Sequence, residues 1–285
     1  LKNQVMENIA VVARKKTPKA LMAAKDLCQW IDAKGLKVFV QDQSDLKNLG
    51  QIMTAENLDS VDLVVALGGD GTYLEAFRLL KGRPTPILGV NLGSLGFLTE
   101  NRLETMKTTL EATLSNDLEK RPRSVLSLDV EGISPEILAL NDVVVERGDR
   151  THLINLAIYC NNALVMETKA DGVVVATPTG STAYNLASGG PILHPEVGAF
   201  VVTPICPHSL TSRPLLFPDD LELQIRILGN DRDAQLTVDG VKVAEISDKN
   251  PLTLKKHKWD HQVIRHPSHN FFNLLREKLK FGERD

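Results

Sequence analysis

Val61-Asp62-Leu63-Val64-Val65-Ala66-Leu67-Gly68-Gly69-Asp70-Gly71-Thr72 decides how the chain folds. The first seven residues are apolar and branched at most positions, and their number suits a strand buried on both faces. Gly68, Gly69 and Gly71 lack Cβ, so the chain can turn sharply there and let a bound group approach its amides. Successive amides in such a turn form an anion-binding concavity, and a helix starting near Thr72 aims its positive end at it. Asp70 is the one acidic side chain in the turn. A carboxylate is a poor choice for plain phosphate binding, and it makes chemical sense there as a base or a metal contact beside a phosphate. The same residues would also serve as a strand-to-helix turn with Asp70 as a cap.

Outward from this turn, the first part of the chain alternates strand and helix. Ile9–Ala13 reads as a strand, and Leu21, Ala24, Cys28 and Ile31 recur at helical spacing. Gly35 closes that helix before a strand over 36–40. A helix over 72–80 follows the turn, then a strand over 86–91. Leu103, Met106, Leu110 and Leu114 mark one face of a further helix. This order predicts an α/β domain with an open, mostly parallel sheet and ligand-binding loops at the strand C-termini. Near Lys120-Arg121-Pro122 the pattern changes to successive strand-like segments: 123–130, 137–146, 152–160, 163–168, 171–177, 199–206, 221–228 and 234–238. These predict a mostly β second domain. Helical spacing returns in Phe271, Leu274, Leu275 and Leu279, predicting a C-terminal helix that packs back on the first domain. The expected domains are 1–120 with about 268–285, and 121–267.

Composition narrows the function classes. Lys and Arg number 33 against 36 Asp and Glu, a net charge of −3, so the chain lacks the basic surface that nonspecific nucleic-acid binding needs. The longest apolar runs fall short of a membrane span, and 9–13 is too short for a signal-peptide core. Cys28, Cys160 and Cys206 are odd in number and widely spaced, which predicts reduced thiols in a cytoplasmic protein. Neither Gly-x-x-x-x-Gly-Lys-Ser/Thr nor Gly-x-Gly-x-x-Gly occurs, against a P-loop NTPase or an ordinary hydride-transferring dehydrogenase. His257, His261, His266 and His269 suit no zinc spacing and read as surface residues.

Four further constellations carry chemistry. Asn91-Leu92-Gly93-Ser94-Leu95-Gly96-Phe97-Leu98 follows the next strand of the parallel sheet, on the same edge as the Asp70 turn. Its glycines would permit backbone approach, and Phe97 would cover a ligand or fill the core. Asp171-Gly172, a strand over 173–176, and Thr177-Pro178-Thr179-Gly180-Ser181-Thr182-Ala183-Tyr184 place four hydroxyls in six residues after an apolar strand. Ser181 or Thr182 would cap a helix whose free amides face a polyanion. Tyr184 would stack on a base or fill core. Asn141-Asp142 interrupts an apolar strand, a cost that either a ligand or a backbone bulge must offset. Arg147, Lys169 and Arg213 are candidate phosphate partners or plain surface charges. Asp239-Gly240 reads as a hairpin turn, and His208 as a structural or solvated loop residue.

Taken together and in order, Gly68-Gly69-Asp70-Gly71-Thr72, Asn91 to Leu98, Asn141-Asp142, and Asp171 to Tyr184 continuing through Gly189-Gly190-Pro191 resemble the NAD kinases over nearly the whole chain. The first block alone is shared with diacylglycerol- and sphingosine-type lipid kinases. The Thr177-to-Tyr184 block separates the two groups. The resemblance implies transfer of the ATP γ-phosphate to the 2′-hydroxyl of the adenosine ribose of NAD, with Mg²⁺ accompanying ATP. It implies a cleft between the two domains and a dimer or tetramer. Asp70 would face the hydroxyl, and Gly68, Gly69, Gly71 and Thr72 would make room for phosphates. Asn141, Asp142, Asp171, Thr182, Ala183 and Tyr184 would line the NAD site, with Asn141 and Asp171 on the adenosine portion and Thr182 and Ala183 near the adenine. Phe97 and His208 would border the cleft. Asp142 stands where many relatives carry Glu, Lys169 where Arg is common, and Ala187 where Ser is frequent. Leu98 follows Phe97 where some relatives have Tyr. These departures bear on the detailed ribose and adenine contacts, not on the reaction class. A lipid kinase and a noncatalytic dinucleotide sensor are the alternative readings.

Overall fold

The computed structural model describes residues 6–130, 133–149, 151–229, 234–265 and 270–280. The chain divides into two compact units: Leu1–Pro122 with His261–Asp285, and Arg123–Asp260.

The first unit is built on a largely parallel sheet. Strand Asn8–Ala13 pairs in parallel with Lys37–Val40 and with Leu63–Leu67. Leu63–Leu67 pairs in parallel with Ile87–Asn91. Every residue of Leu63–Leu67 is buried. Leu63, Val65 and Leu67 join a core with Leu27, Ile31, Met106 and Leu110, from the helices Pro18–Ala33 and Met106–Leu114. Helix Asp70–Leu80 packs against strands Leu63–Leu67 and Ile87–Asn91. A parallel strand covered by helices on both faces has no polar side to present, hence the unbroken apolar run.

The sheet also holds a strand near the end of the chain that local pattern hides. His261–Arg265 pairs in parallel beside Ile87–Asn91, with Val263 aligned on Ile87. These residues fall within the 121–267 span expected to be the β-rich domain, and pairing across the fold, which no local pattern reports, puts them in the first unit instead. His261 and His257 are buried, at 3% and 8% exposure, so their assignment to the surface is corrected. The His261 imidazole bonds the Tyr73 hydroxyl at 2.9 Å and meets Phe77 edge-to-face. His266 and His269 lie outside the described residues. Helix Phe271–Leu279 follows, buries Phe271, Leu274 and Leu275, and donates Lys278 Nζ to Leu95 O at 2.6 Å.

The second unit is a sandwich of two six-stranded sheets. Val143, Val145, Val173 and Val175 from one sheet share a core with Leu128, Leu156, Ile225 and Leu254 from the other. Val144, Val174 and Val201 point the opposite way and pack with Leu193. The predicted strand 137–146 is two strands, Ile133–Ala139 and Asp142–Glu146, one in each sheet. The break falls at Leu140-Asn141, where the backbone amides leave the ladder for a side-chain acceptor described below.

Candidate active site

Strand Leu63–Leu67 ends at the glycine turn, and the helix begins at Asp70, two residues earlier than expected. The Gly68 amide donates to Val90 O at 2.9 Å, tying the turn to the next strand. A Cβ on Gly68 would sit 2.1 Å from Thr72 Oγ1, so this glycine is needed for packing. Gly69 and Gly71 differ, because a Cβ on either meets nothing within 4 Å. The backbone at these two, at a helix start, is open to approach by a bound group, as a helix N-terminus offers amides to an anion. Thr72 is buried and belongs to the helix wall.

Asp70 does not cap its own helix. Its carboxylate reaches across to the 97–99 segment. Oδ2 accepts the Phe97 amide at 2.9 Å. Oδ1 accepts the Leu98 amide at 3.0 Å, the Thr99 amide at 3.1 Å and the Thr99 hydroxyl at 3.0 Å. The expected placement of the two loops on one sheet edge is therefore direct contact. Two glycines make the approach possible. A Cβ on Gly96 would lie 2.0 Å from Asp70 Oδ1, and one on Gly89 2.5 Å from Leu98 O. Phe97 is half-buried, with Lys278 Nζ 5.6 Å from its ring centroid.

In the second unit the expected residues fall at two ends of one pair of strands. Asp142–Glu146 runs antiparallel to Gly172–Ala176, with Asp142 opposite Ala176 and Glu146 opposite Gly172. At one end, Thr177 Oγ1 donates to Leu140 O at 2.6 Å, and the Thr177 amide donates to Asn141 O at 2.9 Å. A Cβ on Gly180 would meet Asn141 O at 2.0 Å, so the Thr177–Gly180 turn lies directly on Asn141. Asn141 Oδ1, Thr179 Oγ1 and Ser188 Oγ are buried with no hydrogen-bond partner among the described residues. Orphaned buried acceptors and hydroxyls of this kind fit a polar ligand that completes them.

Ser181 and Thr182 do not cap a helix. Ser181 Oγ donates to Pro178 O at 2.7 Å and accepts the Leu193 amide at 3.0 Å. Thr182 is half-buried, and the α-helix is only Tyr184–Ala187. Ala183 is half-buried, while Tyr184 and Ala187 are exposed.

Asp239 sits, as expected, in the hairpin between Ala234–Val238 and Val241–Ile246. Its carboxylate also accepts three consecutive amides, Leu140 at 2.9 Å, Asn141 at 2.7 Å and Asp142 at 3.1 Å. It thereby shapes the Asn141-Asp142 segment. No local signal marks this role, since Asp-Gly is also the commonest kind of hairpin turn. Burial, then the nearby Asp239 charge, push Asp142 up to about 7, while the Tyr184 backbone amide pulls it down.

At the other end of the strand pair lies Asp171. Arg147 Nε donates to Asp171 Oδ1 at 2.5 Å, so Arg147 is committed to that carboxylate and is not a free phosphate ligand. Arg213 is exposed and donates to Leu210 O and Ser212 O in its own loop. Lys169 and His208 are exposed and adjacent, the His208 amide donating to Lys169 O at 2.8 Å. Burial first, then the charges of Glu146, Cys206, Asp171 and Asp142, raise the Tyr184 phenol above its ordinary range.

Residues 9–118 match the ATP-NAD kinase N-terminal domain, and residues 140–266 match the ATP-NAD kinase C-terminal domain. The chain is 48% identical over 282 residues to an NAD kinase of Bdellovibrio bacteriovorus, covering 98% of this chain and 93% of that one. It is 40% identical to an NAD kinase of Citrifermentans bemidjiense, covering 98% and 100%. Among solved structures, yeast NADH kinase complexed with NADH superposes with a TM-score of 0.92 at 26% identity, over 99% of this chain and 90% of that one. An NAD kinase from Archaeoglobus fulgidus in complex with ATP gives 0.77 at 25% identity, over 95% and 99%.

Proposed function

This chain belongs to the ATP-NAD kinase family, and we propose from that premise that Asp70 is the residue that steers the acceptor hydroxyl in its reaction, the ATP-dependent phosphorylation of NAD. The observation that carries the proposal is the Asp70 carboxylate itself. It is the one acidic group in a glycine turn open to phosphates, and four donors hold it in place.

A ribose hydroxyl is a poor nucleophile, and a carboxylate is a weak base beside it. Phosphoryl transfer runs through a loose transition state, so alignment and charge neutralisation dominate. Asp70 orients the 2′-hydroxyl of the adenosine ribose. As the new oxygen–phosphorus bond forms and the bond to the β-phosphate oxygen breaks, the hydroxyl proton passes late to the carboxylate and ADP leaves. The open backbone at Gly69 and Gly71 accommodates phosphate oxygens.

Among the described residues no three His, Cys, Asp or Glu side chains group as a metal-holding set. Mg²⁺ is commonly bound by substrate phosphates with one or two carboxylates. A single carboxylate at the phosphate turn therefore fits an ion carried on ATP, for which Asp70 would be a candidate ligand. That ion would offset phosphate charge when bound.

Dinucleotide recognition falls to the second unit. The orphaned Asn141 Oδ1 and the Thr179 and Ser188 hydroxyls support it, together with Asp142, Asp171, Thr182, Ala183 and Tyr184. Ala187, Lys169 and His208 flank this set. A dimer or tetramer is the expected assembly, which light scattering on the purified protein checks. The free thiols of Cys28, Cys160 and Cys206 support a cytoplasmic setting. No helix among the described residues is long and apolar enough to cross a membrane.

The purified protein with NAD, Mg²⁺ and either ATP or polyphosphate, coupled to an NADP-specific dehydrogenase, tests the reaction. Signal with ATP is expected. NADP binding without turnover would favour a sensor, and turnover with diacylglycerol instead of NAD would favour a lipid kinase.

A further inference from the structure

We infer that Asn91 and Thr99 form a one-way hydrogen-bond relay that locks the Asp70 carboxylate, making Thr99 a positioning residue for phosphoryl transfer and leaving Oδ2 as the oxygen that meets the acceptor hydroxyl. The inference deepens the role proposed for Asp70 and rests on it.

The direction of the relay follows from donor and acceptor chemistry. The Gly93 amide donates to Asn91 Oδ1 at 2.5 Å, and an N–H can only meet the oxygen end of that amide. The nitrogen end is thereby fixed, and Asn91 Nδ2 donates to Ser94 O and to Thr99 Oγ1, the latter at 3.2 Å. Thr99 Oγ1, receiving that N–H, must send its own proton elsewhere. Asp70 Oδ1 is 3.0 Å away and is a pure acceptor when ionised. Asn91 and Thr99 are buried, at 6% and 0% exposure, so water does not compete for these bonds. In a low-dielectric setting such linked bonds reinforce one another.

The two carboxylate oxygens are consequently unlike. Oδ1 takes two amides and the hydroxyl, more than its two lone pairs accept in ideal geometry. Oδ2 takes only the Phe97 amide among the described residues, which leaves a lone pair for an incoming O–H. A carboxylate held by three donors on one oxygen cannot spin about its Cβ–Cγ bond without breaking all three. The relay thus presets the orientation that the transition state needs, and alignment is what this chemistry depends on.

Thr99→Val removes the hydroxyl at nearly constant volume and tests the inference. The expected result is a fall in kcat of about 10- to 100-fold, the range over which loss of positioning acts. KM for NAD should stay within about threefold, because uniform binding is untouched. Thr99→Ser, which restores the donor, should recover most of the rate. A merely structural role would lower stability without dividing kcat from KM and would not be rescued selectively by Ser. If the Val variant does not fold, Thr99→Ala makes the same removal without steric demand. Wild-type kcat in either hydroxyl-free variant, or a Ser variant as slow as they are, would overturn the relay. Asp70→Asn measured alongside separates the two claims. A normal rate there sinks the role of Asp70, whereas a lost rate there with a normal Thr99→Val rate sinks the relay alone.

Discussion

Gly96→Ala adds one methyl group where the structure has no room for it. The new Cβ would lie 2.0 Å from Asp70 Oδ1, 2.3 Å from Thr99 Oγ1 and 2.7 Å from Asp70 Cγ. Real Cβ contacts do not fall under 3.0 Å, so the carboxylate or the loop must retreat by 3.0 − 2.0, about 1 Å. Oδ1 holds three bonds of 3.0 to 3.1 Å, and a retreat of that size breaks at least two. Hydrogen bonds to a charged group contribute roughly 1.5–3 kcal/mol each, so the loss is on the order of 3–6 kcal/mol. At about 2–4 °C per kcal/mol for a chain of this size, the melting midpoint should drop by roughly 10 °C. Misplacement by about 1 Å costs on the order of 10²-fold in rate. Thermal melts and coupled steady-state kinetics on the same preparations read both effects. Gly93→Ala is the steric comparison, since its Cβ would find only Asn91 Oδ1, at 4.0 Å. A Gly96→Ala enzyme with wild-type midpoint and kcat would show that the carboxylate is not pinned against the 96–99 segment.

Asp70→Asn should nearly abolish turnover while NAD binding survives. Asn can keep an oxygen towards Leu98 and Thr99, but its amide nitrogen then confronts the Phe97 N–H, so calorimetric titration with NAD and a melt belong with the rate. Asp171→Ala should raise KM for NAD more than KM for ATP, and Arg147, stripped of its 2.5 Å partner, should contribute to the loss. Equal effects on both substrates would remove Asp171 from the dinucleotide site. Asp142 holds a proton in the folded state from its ordinary 3.8 up to about 7, across a range where the unfolded chain has released it. Its contribution to stability is therefore complete below about 3.8 and is lost as pH rises through about 7. Urea unfolding between pH 5 and pH 8 should show that decline in the wild type and not in Asp142→Asn, and parallel curves would refute it.

Much of this protein is legible along the chain because its signals are local. The buried strand Leu63–Leu67, the glycine turn and the helix after it are contiguous, and burial on both faces of a parallel strand forces the apolar run that announces it. Asp70 stands out for the same reason, as a lone charge amid residues chosen for small size. The partners of that charge are another matter. Phe97, Leu98 and Thr99 lie 27 to 29 residues further on, and nothing in their own spacing says that they converge on Asp70. Asp239 is 97 to 99 residues from the amides it holds, and its Asp-Gly turn conceals that use. His261–Arg265 is not marked as a strand by its own pattern, and its place beside Ile87–Asn91 depends on which sheet has an edge to fill. Arg147 reads along the chain as either a phosphate partner or a plain surface charge, and folding pairs it with Asp171. Sequence alone determined where the glycine turn and its single carboxylate fall, because residue type and short-range backbone needs are written in order. Tertiary structure decided which donors saturate which acceptors, because a buried polar group must be paired and its partner is selected by packing across the fold.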